Sequence, residues 1–491
     1  MQKKVIVIGA GIGGLANACF LARDGYKVTV IEKNALPGGR INLLEKSGFK
    51  FDMGPSWYMM PDVFEQFFAQ FGRKVSDYYQ LIKLAPSYRV YFDNQIFYDI
   101  SPDLEVNVNL FESLETGAGE QLRKYIAASK YKYETALGKF IYKSYRSPFD
   151  FINREVILNG PRMKLFKSYH AYVAKFFQHP HLQKLAEWMI TFLGSSPYNA
   201  PAMYSLISYA DYGLGIYYPQ GGMYKVVEGF VKLATELGVE FLYNASVEKI
   251  EVSSGEAQAV IGKFGRISAD IVVANADYHH VETQLLEKLW QSYPESYWQK
   301  KLLSPSSLLF YLGLNKKLNT KLLHHTLFFL GDWQTGFQEL FEQPQWPEEL
   351  LYYASITSKT DKSVAPEGQE NLFLLMPVAP GLQDSPELQE HYYQKMLRNL
   401  EEVTGEAILN HVIVKETFSI VDFSNVYNAY KGNAFGLAHT LGQSAIFRPK
   451  NWSRKVKNLF YVGCMTNPGI GVPMGLASAQ IVAKEIQQQF V

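Results

Sequence analysis

The residues with the clearest chemical content stand in two glycine turns. In GAGIGG, Gly9, Gly11 and Gly14 hold the G-x-G-x-x-G spacing. The first glycine permits a tight turn, the second lets backbone approach a pyrophosphate, and the third lets a helix pack closely on a strand. Ile12 and Gly13 stand in the same turn as cofactor-binding candidates, and the N-terminus of the helix that follows presents free N–H groups and a partial positive charge to the phosphates. Glu32 follows in VIEKNALPGGR, with Lys33 beside it. A carboxylate at that distance accepts both ribose hydroxyls and repels a 2′-phosphate, which disfavours NADP. NAD and FAD share this adenosine half, and Gly38-Gly39-Arg40 separates them. Two glycines let backbone lie flat against a ligand, and the arginine neutralises the pyrophosphate and reaches the flavin side. A simple nicotinamide dehydrogenase needs no second phosphate-facing loop, so the expected cofactor is FAD, held non-covalently.

Other candidates carry less. His279-His280 and His324-His325 have no carboxylate or cysteine at ligand spacing, so they read as satisfied core or surface histidines and no metal is expected. The two cysteines, Cys19 and Cys464, are too few for a disulfide framework, and a reducing, cytoplasmic setting is the default. No G-x-S-x-G supports hydrolase chemistry.

The elements that would position the turns are legible nearby. Val5 to Ile8 reads as a buried strand, Leu15 to Arg23 as a helix and Val28 to Ile31 as a second strand, which makes a βαβ unit. Near the other end, Leu459 to Val462 reads as a strand ending at Gly463. A glycine-proline loop with Ile470, Gly471 and Val472 follows, then a helix from Gly475 to Gln487. Such a loop aims N–H groups and a positive helix end at an electron-accepting ring.

At 491 residues the chain is long enough for two or three lobes. Forty-eight Lys and Arg balance 47 Asp and Glu, so no global field recruits nucleic acid. No apolar run is long enough to span a membrane. Between residues 121 and 190, however, 13 basic residues face four acidic ones with 14 aromatics interleaved. That mixture reads as an interfacial helical surface, with an ordinary solvated basic face as the alternative.

GAGIGG with EKNALPGGR resembles the FAD-binding start of the flavoproteins that include amine oxidases, protoporphyrinogen oxidase, Rab GDP-dissociation inhibitor and carotenoid desaturases. GFKFDMGPSWYMMPDVFEQFF (48–68) is similar to the bacterial and fungal phytoene desaturases, where a short F-D-x-G-P segment passes beside the flavin; this would place Pro55 and Ser56 there. The likeness continues through GIYYPQGGMYKVVEGFVKLATELGVEF, NASVEKIEV, DIVVANAD, DFSNVYNAYKGNAFG, QSAIFRP and NLFYVGCMTNPGIGVPMGLASA. It implies that Val247 contacts the adenine and that Asn275, Leu441, Gly463, Ile470, Gly471 and Val472 lie at the cofactor. An Asp/Arg pair proposed in the family falls near FDFINRE and points to Asp150 and Arg154 as catalytic candidates; a surface ion pair at i, i+4 fits the same spacing.

The resemblance implies an α/β flavoprotein. Its Rossmann-like FAD domain is assembled from 1–75, 215–290 and 415–491, with a mixed-sheet substrate lobe from 76–120 and 291–414. A helical, basic-aromatic, membrane-associating cap comes from 121–214. The implied reaction is desaturation of a linear carotenoid: a hydride passes to flavin and a proton leaves the neighbouring carbon, inside an apolar tunnel. Quinone or oxygen is the expected electron acceptor, and a peripheral position on the inner face of the cell membrane suits so insoluble a substrate. Met465-Thr466-Asn467 departs from the commoner G-T-H wording and favours a 1-hydroxycarotenoid 3,4-desaturase over a phytoene desaturase. The other readings are a carotenoid isomerase or ketolase, an amine or porphyrinogen oxidase, and a non-catalytic lipid carrier.

Overall fold

Runs of Val and Ile buried on both faces build the first layer, because strands covered on two sides must be apolar throughout. The structure, a computed structural model, describes residues 2–146, 160 and 163–490. Its five-stranded parallel sheet has the order Leu459–Tyr461, Ile271–Ala274, Lys4–Ile8, Lys27–Ile31 and Glu240–Leu242. The helix Ile12–Arg23 follows the first strand and starts three residues earlier than the apolar pattern indicates. Gly11 serves as its N-cap, and its first turn needs small residues because Gly14 lies against the Gly9 carbonyl and Gly13 against the Asn275 and Val462 side chains. The last helix, Val472–Phe490, likewise begins ahead of Gly475, taking Pro473 into its first turn where a missing N–H costs nothing. The two helices pack together, and Asn17 Nδ2 donates to the Ala479 carbonyl at 2.8 Å. A three-stranded antiparallel sheet has Val247–Ser253 on one edge, then Glu256–Gly262 and Gly265–Ser268.

The second layer is a seven-stranded mixed sheet. Its order is Val412–Phe418, Ser306–Leu314, Glu370–Val378, Leu351–Ser355, His325–Phe329, Tyr88–Tyr91 and Phe97–Ile100. All neighbours are antiparallel except the parallel junction of His325–Phe329 with Tyr88–Tyr91. Alternation sorts its side chains onto two faces. Leu308, Phe310 and Leu312 pack with Tyr393, Met396 and Leu397 of the helix Pro386–Thr404. Leu309, Tyr311, Tyr353 and Phe373 point instead into the core shared with the helical region.

That helical region contains Ala118–Lys139, Tyr169–Val173 and Pro180–Glu187. The basic aromatic stretch is more buried than its composition indicates. Tyr125, Tyr133, Tyr169, Tyr172, Phe177 and Trp188 are core residues, and the Tyr125 hydroxyl bonds both the Tyr169 hydroxyl and Ser208 Oγ at 2.9 Å. Phe166 is the contrary case, 92% exposed. Asp150 and Arg154 lie outside the described residues.

Candidate active site

Two glycine loops meet to form one end of the site. Gly38 N–H donates to the Ala10 carbonyl at 2.8 Å, and Gly11 and Gly38 form an isolated parallel bridge. A Cβ on Gly39 would stand 3.2 Å from Gly11 Cα, and one on Gly38, at φ +111°, would stand 2.1 Å from the Ile41 carbonyl oxygen. Gly14 admits no side chain because its Cβ would lie 2.3 Å from the Gly9 carbonyl oxygen. Asn275 holds the turn from the next strand: its N–H donates to Ile8 at 2.8 Å, and its amide fills the space that side chains at 11 and 13 would need. Glu32 is buried, with one carboxylate oxygen accepting Ala10 N–H at 2.8 Å and the other Asn34 N–H at 2.9 Å. Each oxygen keeps a lone pair for a further donor. Lys33 turns away, its ammonium donating to the Asn425 carbonyl at 2.8 Å and Asn428 Oδ1 at 3.0 Å.

Arg40 is the group that asks for a ligand. Its Nε and Nη2 are buried and have no hydrogen-bond partner among the described residues, while Nη1 meets only Cys464 Sγ at 3.9 Å. Burial pushes the Asp277 carboxyl above its ordinary range, with Arg40 and main-chain N–H groups opposing the rise. An orphaned guanidinium beside a glycine cradle and an uncapped helix N-terminus is the donor set a pyrophosphate satisfies.

A single cavity of about 950 Å³ runs from this groove into the second layer. It is lined by Gly9, Gly11, Ile12, Gly13, Glu32, Lys33, Gly38, Gly39 and Arg40, and by Pro55, Ser56, Val247 and Asn275. Leu441, Gly463, Ile470, Gly471 and Val472 also line it. Gly14 is the one expected groove residue among the described residues that does not line it, as befits a glycine used for packing. Beyond Ser56 the walls turn aromatic. Trp57 stacks on His325 with ring centres 4.2 Å apart and meets Trp188 and Phe192 edge-on. The far end is walled by Phe329, Trp333, Phe337 and Phe341. The polar exception in this wall is a relay in which Ser56 Oγ and the Tyr353 hydroxyl are 2.8 Å apart and Tyr353 reaches His325 Nδ1 at 2.6 Å. Burial drives the His325 imidazole well below its ordinary range, so it is neutral. His324 pairs with Thr360 Oγ1 at 2.7 Å. The cavity lining also includes the exposed side chains Phe166, Leu441 and Phe447, together with Lys143.

The tunnel residues Trp57, Trp188, Phe192, Trp333, Phe337 and Tyr353 had no signal of their own in the sequence, since each reads as an ordinary core aromatic. Arg448 was also missed as a site residue, although it stands within QSAIFRP.

Comparison with known proteins places the chain in a family. Residues 12–487 match the model of the family "Flavin containing amine oxidoreductase". The chain is 42% identical over 483 residues to the carotenoid 3,4-desaturase of Haloarcula japonica, covering 98% of this chain and 97% of that protein. It is 32% identical over 492 residues to the zeta-carotene-forming phytoene desaturase of Myxococcus xanthus, covering 99% and 94%. Among solved structures, an oxidoreductase from Methanosarcina mazei shares the fold with a TM-score of 0.61 at 18% identity, over 98% of this chain and all of that one. The chain belongs to the flavin-containing amine oxidoreductase family, among its carotenoid desaturases.

Proposed function

We propose that the protein is a FAD-dependent desaturase that forms the 3,4 double bond of a linear, 1-hydroxylated carotenoid. The observation that carries this reading is the continuity of the cavity: a groove suited to a dinucleotide opens directly into a long aromatic tunnel. The 42% identity to the carotenoid 3,4-desaturase of Haloarcula japonica supports the position of the new bond.

FAD fits the groove non-covalently, with Glu32 accepting the ribose hydroxyls and Arg40 donating to the pyrophosphate. The N–H groups at the start of Ile12–Arg23 face the phosphates, and Val247 meets the adenine. Pro55, Ser56 and the loop through Ile470, Gly471 and Val472 border the ring. When bound, the flavin supplies an acceptor for hydride. The chain's own part is to hold a polyene straight, keep the reacting C–C bond against the ring's edge and exclude water, which the aromatic wall around Trp57 does. The second hydrogen leaves as a proton, and Asp150 with Arg154 is the pair assigned to it. In this reading 1–75, 215–290 and 415–491 form the cofactor domain, 76–120 and 291–414 the substrate lobe and 121–214 the cap.

Among the described residues no helix is long and apolar enough to cross a membrane. Phe166, Leu441 and Phe447, exposed apolar side chains of the cavity lining, instead suit a peripheral seat on the inner face of the cell membrane, from which the substrate would enter out of the lipid. Quinone or oxygen then reoxidises the cofactor.

The test is product analysis after incubating flavin-loaded protein in liposomes with phytoene or with a 1-hydroxycarotenoid. Conversion of the hydroxylated substrate alone, red-shifted by one double bond, is expected. Coloured products from phytoene would make it an early-pathway desaturase, and no product from either would overturn desaturation. Acid precipitation releasing FAD into solution is expected for a non-covalent cofactor.

A further inference from the structure

Beneath the loop that borders the expected flavin position lies a charge without a counter-charge. Arg448 is 2% exposed. Its guanidinium donates only to main-chain carbonyls: Nε to Thr466 at 3.1 Å, Nη1 to Gln443 at 3.2 Å, and Nη2 to Leu437 at 3.0 Å and Cys464 at 2.8 Å. No ion pair to it exists among the described residues, and the groups that act on it electrostatically are Tyr204, Cys464 and Tyr297. A buried cation without a carboxylate is costly, and an arginine used only to tie loops together would gain from an acidic partner. Its other neighbours add no negative charge. His439 is buried, its Nδ1 donating to the Leu193 carbonyl at 2.9 Å, and burial and Arg448 lower its imidazole to about 3. Arg448 also lowers the Lys301 ammonium, secondarily to burial. Burial lowers Arg448 itself to about 10, which leaves it charged at neutral pH.

Its position gives the charge a direction. A Cβ on Gly469 would stand 3.3 Å from Arg448 Cζ and 2.2 Å from His439 Nε2, so the loop backbone rests directly on the two side chains. The adjoining Ile470 and Gly471 line the cavity, and Val472 starts a helix with no acidic residue in its first turn. The buried cation and the positive helix end therefore stand on the same side of the site.

We infer that Arg448 is an electrostatic positioning residue of the flavin site, whose unpaired charge favours the reduced over the oxidised cofactor. This rests on the placement of the flavin against the 463–472 loop given above. Reduction adds two electrons, and with uptake of one proton it leaves one net negative charge in the ring. An uncompensated cation one backbone layer away holds that charge without contributing a proton.

The experiment is a dye-equilibrated redox titration of the flavin-loaded enzyme, repeated across pH, for wild type, Arg448→Gln, Arg448→Lys and Tyr297→Glu. Gln keeps donors and loses the charge; Lys keeps the charge and loses the fork. Tyr297→Glu leaves Arg448 in place and brings a carboxylate beside it, so it serves if Arg448→Gln sheds its flavin. The expected result for Gln and for Glu is an oxidised-to-reduced equilibrium shifted about tenfold toward oxidised, about 30 mV for a two-electron couple. Lys stays near wild type in potential even where it melts earlier. Wild type takes up one proton per two electrons, and Gln moves toward two. If Gln and Glu both retain the wild-type potential, or Lys falls as far as Gln, the inference is overturned and Arg448 is only a tie between loops. A wild-type protein that binds no flavin overturns the cofactor reading itself, and this inference with it.

Discussion

The glycine groove and the aromatic tunnel share one cavity and are built on opposite principles. The groove is made by backbone: Gly9, Gly11, Gly38 and Gly39 bring main chain against main chain, and few side chains beyond Glu32, Arg40 and Asn275 take part. The tunnel is made by side chains that converge from distant segments, with Trp57, Trp188, Phe192 and Trp333 supplied by three separate regions of the sequence. A site made of backbone has no slack, because a clash with a carbonyl cannot be relieved by a rotamer change. A site made of large side chains can repack. The two ends should therefore fail differently.

The largest effect is expected at Gly14. Gly14→Ala sets a methyl against the Gly9 carbonyl oxygen, and a loss at or above the top of the roughly 1–3 kcal/mol overpacking range is expected. Purified protein should carry almost no flavin by absorbance and melt well below wild type. Flavin retained at full stoichiometry would show that the groove has slack after all.

Arg40→Met comes next and should split two measurements that Gly14→Ala moves together. Flavin affinity should fall about 30-fold or more, in line with the roughly 2–5 kcal/mol cost of truncating a buried charged hydrogen bond. The flavin-free protein should melt no lower than wild type, because orphaned buried donors have been removed. Titration calorimetry and thermal melts of apo-protein read the two quantities.

In the tunnel, Trp333→Ala should leave flavin stoichiometry unchanged and lower kcat/KM on a long carotenoid by about tenfold, the scale of a lost hydrophobic contact. Loss of flavin in this variant would mean that the two ends are mechanically one.

The smallest effect concerns buried ionisable groups, and its sign follows from which state holds more protons. His324 and His439 are lowered to about 3 by burial, so the unfolded chain binds more protons between there and about 6.5; their contribution is complete above about 6.5 and is lost as pH falls. Burial raises Asp52 and Asp211 to about 7. For these the folded chain binds more protons, so stability falls as pH climbs from about 4 toward 7 and the loss is complete above it. Asp211→Asn, which can still accept from the Tyr88 hydroxyl, should flatten the decline by a few °C in melts between pH 5 and 8.

The same contrast explains what could be read in advance. The groove was legible because glycine spacing records backbone approach directly, and the packing of Gly14 follows from that local pattern; the place of Asn275 and the α/β plan came from the family resemblance, and the hold of Asn275 on the turn was not read at all. The tunnel was not, because burial of an aromatic looks the same whether it faces a neighbour or a cavity. Lys132 shows the converse. Its place in a basic stretch reads as surface, yet it is 1% exposed, donates to the Ala202 carbonyl and Ser205 Oγ, and lies 3.8 Å from the Tyr172 ring centre. A count of charges carries no record of which helix face each one occupies. Arg448 escaped for a related reason: an arginine answered only by carbonyls has no partner residue to betray it.

The strand order of the parallel sheet has a consequence for how the protein is made. Lys4–Ile8 and Lys27–Ile31 leave the ribosome first, but Ile271–Ala274 and Leu459–Tyr461 complete the sheet beside them. At about 5–20 residues per second, about 20–90 s separate the second strand from the last. Throughout that interval the glycine turn exists without the wall that Gly463 and the final helix provide. Tight retention of a flavin is therefore expected only after the final strand and helix have joined the sheet.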